Sequence, residues 1–446
     1  MPNLFLEILL VLKPILSPTN IRHLSHISKS IFGLSNKVSL LGISRICVLS
    51  LRSIERFYAQ KDIPWLGIRV LLFQAFFFKS SGTYLLVADE VVQKKSGKCT
   101  YGLSKFYSSL AGKVVPSLSF LGLSLVSVDS GQSHFLSCSP LLKNKSSELT
   151  QEPASKPSKQ SSPSPGRPKG SKNKGYQEPD NLSFQSLKRA MTATLSLLFE
   201  YCLGIKVPYL VADGFYGHLH YFKLAQSKGL KLITKLRHNT ALIYPYQGVQ
   251  KPKGRHRIYG KKVDYNALKT KDLVDLPEEH PFKKKGIKVF AFQARHRKIK
   301  GYLLHVVIIQ KYDNKNKRIG QKILVSDDLS LSALEIIKYY GLRFQIEFDF
   351  RDVKQFFGLA HFRNIKENQV KNVVNMAFTC KIMGQILLEK YKKILKVENL
   401  SMTDLKAILR AEFYYNHLFN TSQNTEKEFL KQEKFLEFVK FESINI

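Results

Sequence analysis

The sequence predicts an α/β protein: a sheet-based core, interrupted by a β-rich insertion and flanked by helical N- and C-terminal regions. Three observations carry this. Residues 1–80 and 366–446 show the apolar spacing of helices. Two apolar runs, Leu86-Val87-Ala88-Asp89 and Leu210-Val211-Ala212-Asp213, read as buried strands that each end in an acid. Residues 238–325 carry alternating patterns such as VFAFQARHRKIKGYLLHVVIIQ, the mark of strands with one face on a core.

Taken in order, Leu4–Leu16 contains Glu7 and Lys13 and lacks a basic leader, so it is a poor signal peptide. Trp65–Phe78 contains Arg69 and Gln74 and falls short of the roughly 20 apolar residues that span a bilayer. Both read as buried helices. Val38–Tyr58 divides into two runs around Val48-Leu49-Ser50, with Ser50 or Ser53 capping the second and Arg52, Glu55 and Arg56 exposed. This is either a DNA-reading helix-turn-helix or an ordinary helical hairpin. From Thr83, TYLLVADEVV, TYGLSKFYSSL and VVPSLSFLGLSLVSVD read as three successive strands in a meander. Residues 140–182 are rich in Ser, Pro and Lys without apolar periodicity, which makes them a linker. Within it, Gly166-Arg167-Pro168-Lys169 resembles an AT-hook, whose arginine lies in a narrow minor groove; the alternative is a solvated basic tether. Phe184–Gly204 returns to helical spacing, Val207–Asp213 and Leu230–Leu236 read as strands around a helix at His218–Lys228, and Ser332–Phe357 reads as one long helix.

The domain map is therefore a helical region at 1–80, a first core part at 81–139 and the linker at 140–182. A second core part follows at 183–237, then the β-rich insertion at 238–325, a core helix at 326–365 and a helical region at 366–446. The chain carries 70 Lys+Arg against 34 Asp+Glu, a formal charge of +36. That excess raises self-repulsion, so a polyanionic partner, nucleic acid, is the natural reason to keep it. The five cysteines form no C-x-x-C pair, which argues against a disulfide framework or a zinc ribbon and fits a reducing cytoplasm. No membrane partner is expected. No G-x-x-x-x-G-K-[ST] loop is present, which disfavours ATP-driven work. His218 and His220 form an H-x-H pair, but no third zinc ligand stands at suitable spacing.

The chemistry concentrates in carboxylates. Asp89 and Asp213 end buried strands, where α/β folds bind ligands, and Glu347 lies on the long helix. Three carboxylates without a Cys/His cage suit a hard cation, Mg²⁺ or Mn²⁺. Two such ions, about 3.5–4 Å apart, activate water and stabilise the leaving oxygen at a phosphodiester. At about 100° per residue, Tyr340, Arg343, Glu347, Arg351 and Lys354 share one arc, beside a core stripe of Leu342, Ile346, Phe350, Val353 and Phe357. That face suits a metal-bound phosphate; the plain alternative is an i,i+4 salt-bridge network.

Tyr340, Arg343, Glu347 and Lys354 stand in the spacing Y-x2-R-x3-E-x6-K. This resembles the Tyr-Arg-Glu-Lys signature of the insertion-sequence-four family of bacterial DDE transposases. Asp89 followed by a Lys-Ser-Gly-Lys loop, Asp213-Gly-Phe-Tyr and the β-rich stretch before the glutamate helix add to the likeness, which covers most of the chain except residues 1–80 and the linker. Glu90 follows Asp89 where relatives often carry a hydroxyl residue. The resemblance implies an RNase H-like catalytic core in which Asp89, Asp213 and Glu347 bind two Mg²⁺ or Mn²⁺ ions. It implies that Tyr340, Arg343 and Lys354, with Arg351 on the same face, handle the transposon end. The expected partners are double-stranded DNA, both transposon ends and target, and a second copy of the chain in the DNA complex, on the nucleoid of a bacterial cytoplasm. Alternatives are a structure-selective nuclease on the same core and a non-catalytic DNA-binding remnant of a transposase.

Overall fold

The computed structural model describes residues 4–35, 37–108, 111–143, 176–315 and 317–418. Arg167 and Lys169, the proposed minor-groove contacts, lie outside the described residues. Helices α1 (Leu4–Leu9), α2 (Pro18–Gly33), α3 (Leu40–Ile46), α4 (Leu51–Ala59) and α5 (Trp65–Phe76) precede strands β1 (Thr83–Lys94), β2 (Ser104–Ser108), β3 (Lys113–Ser127) and β4 (Ser133–Pro140). Next come α6 (Leu182–Tyr201), β5 (Lys206–Ala212), α7 (Leu219–Ser227) and β6 (Lys231–Leu236). Strands β7 (Leu242–Pro245) and β8 (Tyr259–Lys262), the short α8 (Pro281–Lys284), and β9 (Ile287–His296), β10 (Ile299–Tyr312) and β11 (Arg318–Ser326) follow. The chain continues through α9 (Ala333–Leu342), α10 (Gln345–Phe356), α11 (Glu367–Leu395) and α12 (Met402–Leu418).

Among the described residues the eleven strands belong to one mixed sheet, ordered β2-β3-β1-β5-β6-β11-β10-β9-β7-β8, with β4 also on β3. The expected meander is not found. β3 lies antiparallel beside β1, and its other edge takes β2 along one half and β4 along the other. β3 is long enough, at 15 residues, to serve three neighbours. Two parallel pairs, β1 with β5 and β5 with β6, form the centre. Both faces of β1 are covered, so Tyr84 to Ala88 are buried without alternation. The stretch read as an insertion is continuous with the core, because β11 returns to pair antiparallel with β6.

Helices from the two ends of the chain pack on one another. The N-terminal α4 and α5 lie against α11, a 29-residue helix buried along much of its length. Trp65 Nε1 donates to Asn372 Oδ1 at 2.8 Å, and Asn372 donates to the Tyr58 carbonyl at 2.9 Å. Arg69, which argued against a bilayer span, is 1% exposed and donates to the Leu136 carbonyl at 2.5 Å and to Asn375 Oδ1 at 2.8 Å. Among the described residues no helix is long and apolar enough to cross a membrane. The Ser50 side chain caps α4 as expected, accepting from the Ser53 amide, and leaves Arg52, Glu55 and Arg56 exposed.

His134, on β4, is buried and stacks on Phe77 with ring centroids 4.3 Å apart. Burial, with the nearby Lys381 charge, pushes its pKa down to about 3 from an ordinary 6.5. The unfolded chain therefore binds a proton that the folded chain refuses as pH falls from about 6.5 to about 3. Stability is expected to fall across that window by up to ~1.4 kcal/mol per pH unit from this residue. Urea melts of the wild type and of His134→Gln at stepped pH measure it; the substitution should flatten the slope over that window, and an identical slope would exclude His134 as its source.

Candidate active site

Asp89 and Asp213 come together because β1 and β5 are parallel neighbours in register. Ala88 pairs with Ala212 on strands spaced roughly 4.8 Å apart, and each aspartate is the next residue along. Asp213 leaves the sheet there. Its side chain accepts from the Phe215 amide at 2.8 Å, capping a 3-10 turn at Gly214–Tyr216, and Thr234 of β6 donates to its carbonyl at 2.6 Å. Asp89 accepts from the Glu90 amide at 2.8 Å.

Glu347 is linked to Asp89 from α10, where the expected long helix proves to be two. Between α9 and α10 the backbone bonds are i to i−3: Arg343 N to Tyr340 O, Phe344 N to Gly341 O and Glu347 N to Phe344 O. This tightened turn follows Gly341, a weak helix former. Arg343 sits in it and bridges the acids, donating to Asp89 Oδ2 at 2.9 Å and to Glu347 Oε1 at 2.7 Å. Burial pushes the Asp89 carboxyl up to about 6 despite the Arg343 guanidinium, with Asp213 and Glu347 adding repulsion. Among the described residues no three acid, histidine or cysteine side chains are drawn together as a ligand cage. The Arg343 guanidinium occupies the space between two of the acids, and the Asp213 carboxylate is turned to its cap. His218 and His220 form no such cage either.

The other expected residues vary. Tyr340 is half-buried, and the Arg343 guanidinium lies 5.8 Å from its ring centroid. Lys354 donates to the Val92 carbonyl at 3.3 Å, and burial lowers its pKa. Arg351 is exposed, lies over the Phe348 ring at 4.6 Å and pairs with Asp352 at 3.4 Å. Of the predicted core stripe, Ile346, Phe350, Val353 and Phe357 are buried, while Leu342 is half-buried.

Two supports of the site were missed by sequence reasoning. Asp349 lies outside the arc of Tyr340, Arg343, Glu347, Arg351 and Lys354, and it is buried: it accepts from Ser133 Oγ at 2.5 Å and Ser124 Oγ at 3.0 Å, and Lys381 lies 3.7 Å away. Lys381 also pairs with Asp352 at 3.0 Å, so one lysine of α11 clamps two acids of α10. The second is Gly122, opposite Asp89 on β3. A Cβ there would lie 2.8 Å from Phe350 and 2.8 Å from Phe135. The glycine lets α10 settle on the sheet beside Asp89. Its only signal in the sequence was a glycine inside an apolar strand, which marks close backbone approach.

A mixed sheet with one acid inside a central strand and another just past the end of its parallel neighbour, the first tied through an arginine to a third acid on a helix, defines an α/β protein with a carboxylate-bearing candidate site. The chain belongs to the DDE superfamily endonucleases: the model of that family matches residues 25–291, more than half the chain, including Asp89 and Asp213 and stopping before Glu347. Among solved structures, the chain is similar to the piggyBac transposase synaptic complex with hairpin DNA, solved by cryo-electron microscopy. The identity is 12%, covering 97% of this chain and 80% of that one, with a TM-score of 0.38. No curated protein matches the chain.

Gly122→Ala is expected to push α10 outward and cost about 1–3 kcal/mol by overpacking. Because the helix carries Glu347, hydrogen exchange at the α9–α10 turn should rise as well. A variant as stable as the wild type, with unchanged exchange, would show that the contact does not position α10.

Proposed function

We propose that this protein is a DNA transposase of the insertion-sequence-four type, which cleaves the inverted-repeat ends of its element and joins them to target DNA. The observation that carries this reading is that Asp89 and Asp213 each directly follow the registered pair Ala88–Ala212, with Glu347 held to Asp89 through Arg343. The five strands β4-β3-β1-β5-β6, with α6 and α7 as crossovers, support an RNase H-like core.

The donor set fits a hard divalent cation, since every candidate ligand is a carboxylate oxygen. Asp89, Asp213 and Glu347 would hold Mg²⁺ or Mn²⁺, which when bound supplies Lewis acidity at the phosphodiester and a more acidic water. Asp89 is ionised above about pH 6, so it is charged at neutral pH. Arg343 neutralises Asp89 and Glu347 and keeps both facing one gap. It is also the cation nearest to a phosphate arriving there. Tyr340 lies beside it as a flat surface for the end of the duplex, and Lys354 and the exposed Arg351 continue the basic face along α10. Arg167 and Lys169 of the linker add contacts to duplex DNA. Such work places the protein on the nucleoid, and pairing two ends calls for a homodimer on DNA.

The test uses the full chain with DNA spanning both flanks of its own gene. Asp89→Asn, Asp213→Asn and Glu347→Gln should each lower Mn²⁺-dependent cleavage by about 100- to 1,000-fold. Affinity for the same DNA should hold or rise, because each change removes a negative charge. Cleavage at the wild-type rate in any two of the three would sink the assignment.

A further inference from the structure

At the N-terminal end of β1, the loop from α5, the β3–β4 turn and α11 enclose a cavity of about 500 Å³. Tyr84 lines it, five positions before Asp89 on β1, so the cavity is about 17 Å along the strand from the carboxylate site. Its volume lies in the range of small-molecule sites, which combine apolar walls with a few placed polar groups.

The walls are Phe76, Phe77, Tyr84 and Ile386. They are held by their own contacts. The Tyr84 hydroxyl accepts from the Lys79 amide at 2.9 Å, and the Phe77 ring stacks on His134. The β3–β4 turn is closed by Ser127 N to Gln132 O at 3.0 Å and Gly131 N to Ser127 O at 2.9 Å, with Gly131 at φ +69°. A ligand therefore meets walls that are already ordered.

The polar groups divide by charge. Lys79 and Lys393 are exposed where they line the cavity, and neither has an ion-pair partner among the described residues. The other charges of α11 are engaged: Lys390 lies 3.8 Å from Glu7, and Glu389 pairs with Lys392 at 3.2 Å. Asp129 is exposed on the turn. His134 is 2% exposed, and its Nδ1 meets no hydrogen-bond partner among the described residues. Burial keeps its ring neutral, so it offers a donor and an acceptor without charge.

This combination discriminates between ligands. Inorganic phosphate would use the lysines alone. An aliphatic anion would use the lysines and the apolar walls and leave His134 and the Gln132 amide unmet. A nucleobase is flat, stacks on aromatic rings and carries donors and acceptors on its edge, and the phosphate of a nucleotide suits lysine. We infer that this cavity is a binding site for a mononucleotide, with the base among Phe76, Phe77 and Tyr84 and the phosphate at Lys79 and Lys393. Asp129 is placed to accept from the sugar hydroxyl or a base amino group. The site stands apart from Asp89, Asp213 and Glu347 and does not depend on how those acids are read.

Calorimetric titration of the full chain with deoxyadenosine and thymidine 5′-monophosphates, in the presence of EDTA, tests this alongside thermal melts. At least one of the two should bind with micromolar affinity and raise the melting temperature, since a ligand of the folded state stabilises it. Inorganic phosphate, the matching nucleoside and laurate should each bind at least about 10-fold more weakly. Replacing both exposed lysines, Lys79→Gln with Lys393→Gln, should lower nucleotide affinity about 10-fold or more. Phe77→Leu should lower it by about 5- to 100-fold. Arg343→Ala, at the carboxylate site, should leave it unchanged. No binding of either nucleotide at millimolar concentration, wild-type affinity in the lysine double variant, or laurate binding as tightly as the nucleotide would each overturn the inference. Loss of binding in Arg343→Ala alone would place the nucleotide at the carboxylate site and overturn it as well.

Discussion

Acids held close together repel one another, and in this protein a single guanidinium lies between Asp89 and Glu347. Arg343 donates one nitrogen to Asp89 and another to Glu347, joining a strand to a helix 254 residues further along the chain. Its planar fork suits two carboxylates in a way that a lysine point charge does not. The tightened turn between α9 and α10 aims Arg343 back at β1, and Glu347 follows it by one helical turn on the same side. The remaining features of the site serve to keep that helix where the fork can reach.

Those features form a graded support. Phe350 presses on Gly122 directly across from Asp89. Behind it, Asp349 is held by two strand hydroxyls and by Lys381, which also takes Asp352. Burying a carboxylate this deeply is unfavourable unless its partners are in place. The cluster therefore tolerates little sliding of α10 over the sheet, so the helix has one register on β3 and β4.

Much of this was legible in the residues. An apolar run ending in an acid is expected to be a strand that ends there; Asp213 does follow the end of β5, whereas Asp89 lies inside β1, which runs on to Lys94 beside β3. The Glu347 face was legible from helical periodicity, including its i,i+4 partner Arg343. What could not be read was set by tertiary contact. Nothing local distinguishes β2 and β4 as neighbours of the same strand, so the predicted meander was natural and wrong. Gly341 alone did not announce the break between α9 and α10. Asp349 lies beside the core stripe in projection, and only its serine and lysine partners, more than 30 residues away along the chain or far before it, explain its burial.

The clasp between the two ends of the chain has a consequence for biogenesis. Trp65 and the Tyr58 carbonyl find their partner in Asn372, 307 and 314 residues later. During synthesis the N-terminal helices emerge first with an apolar face that nothing yet covers. They wait for α11, and α11 also supplies the lysine that seats the glutamate helix. Covering of α4 and α5 and seating of the helix that carries Glu347 thus both draw on the same late segment.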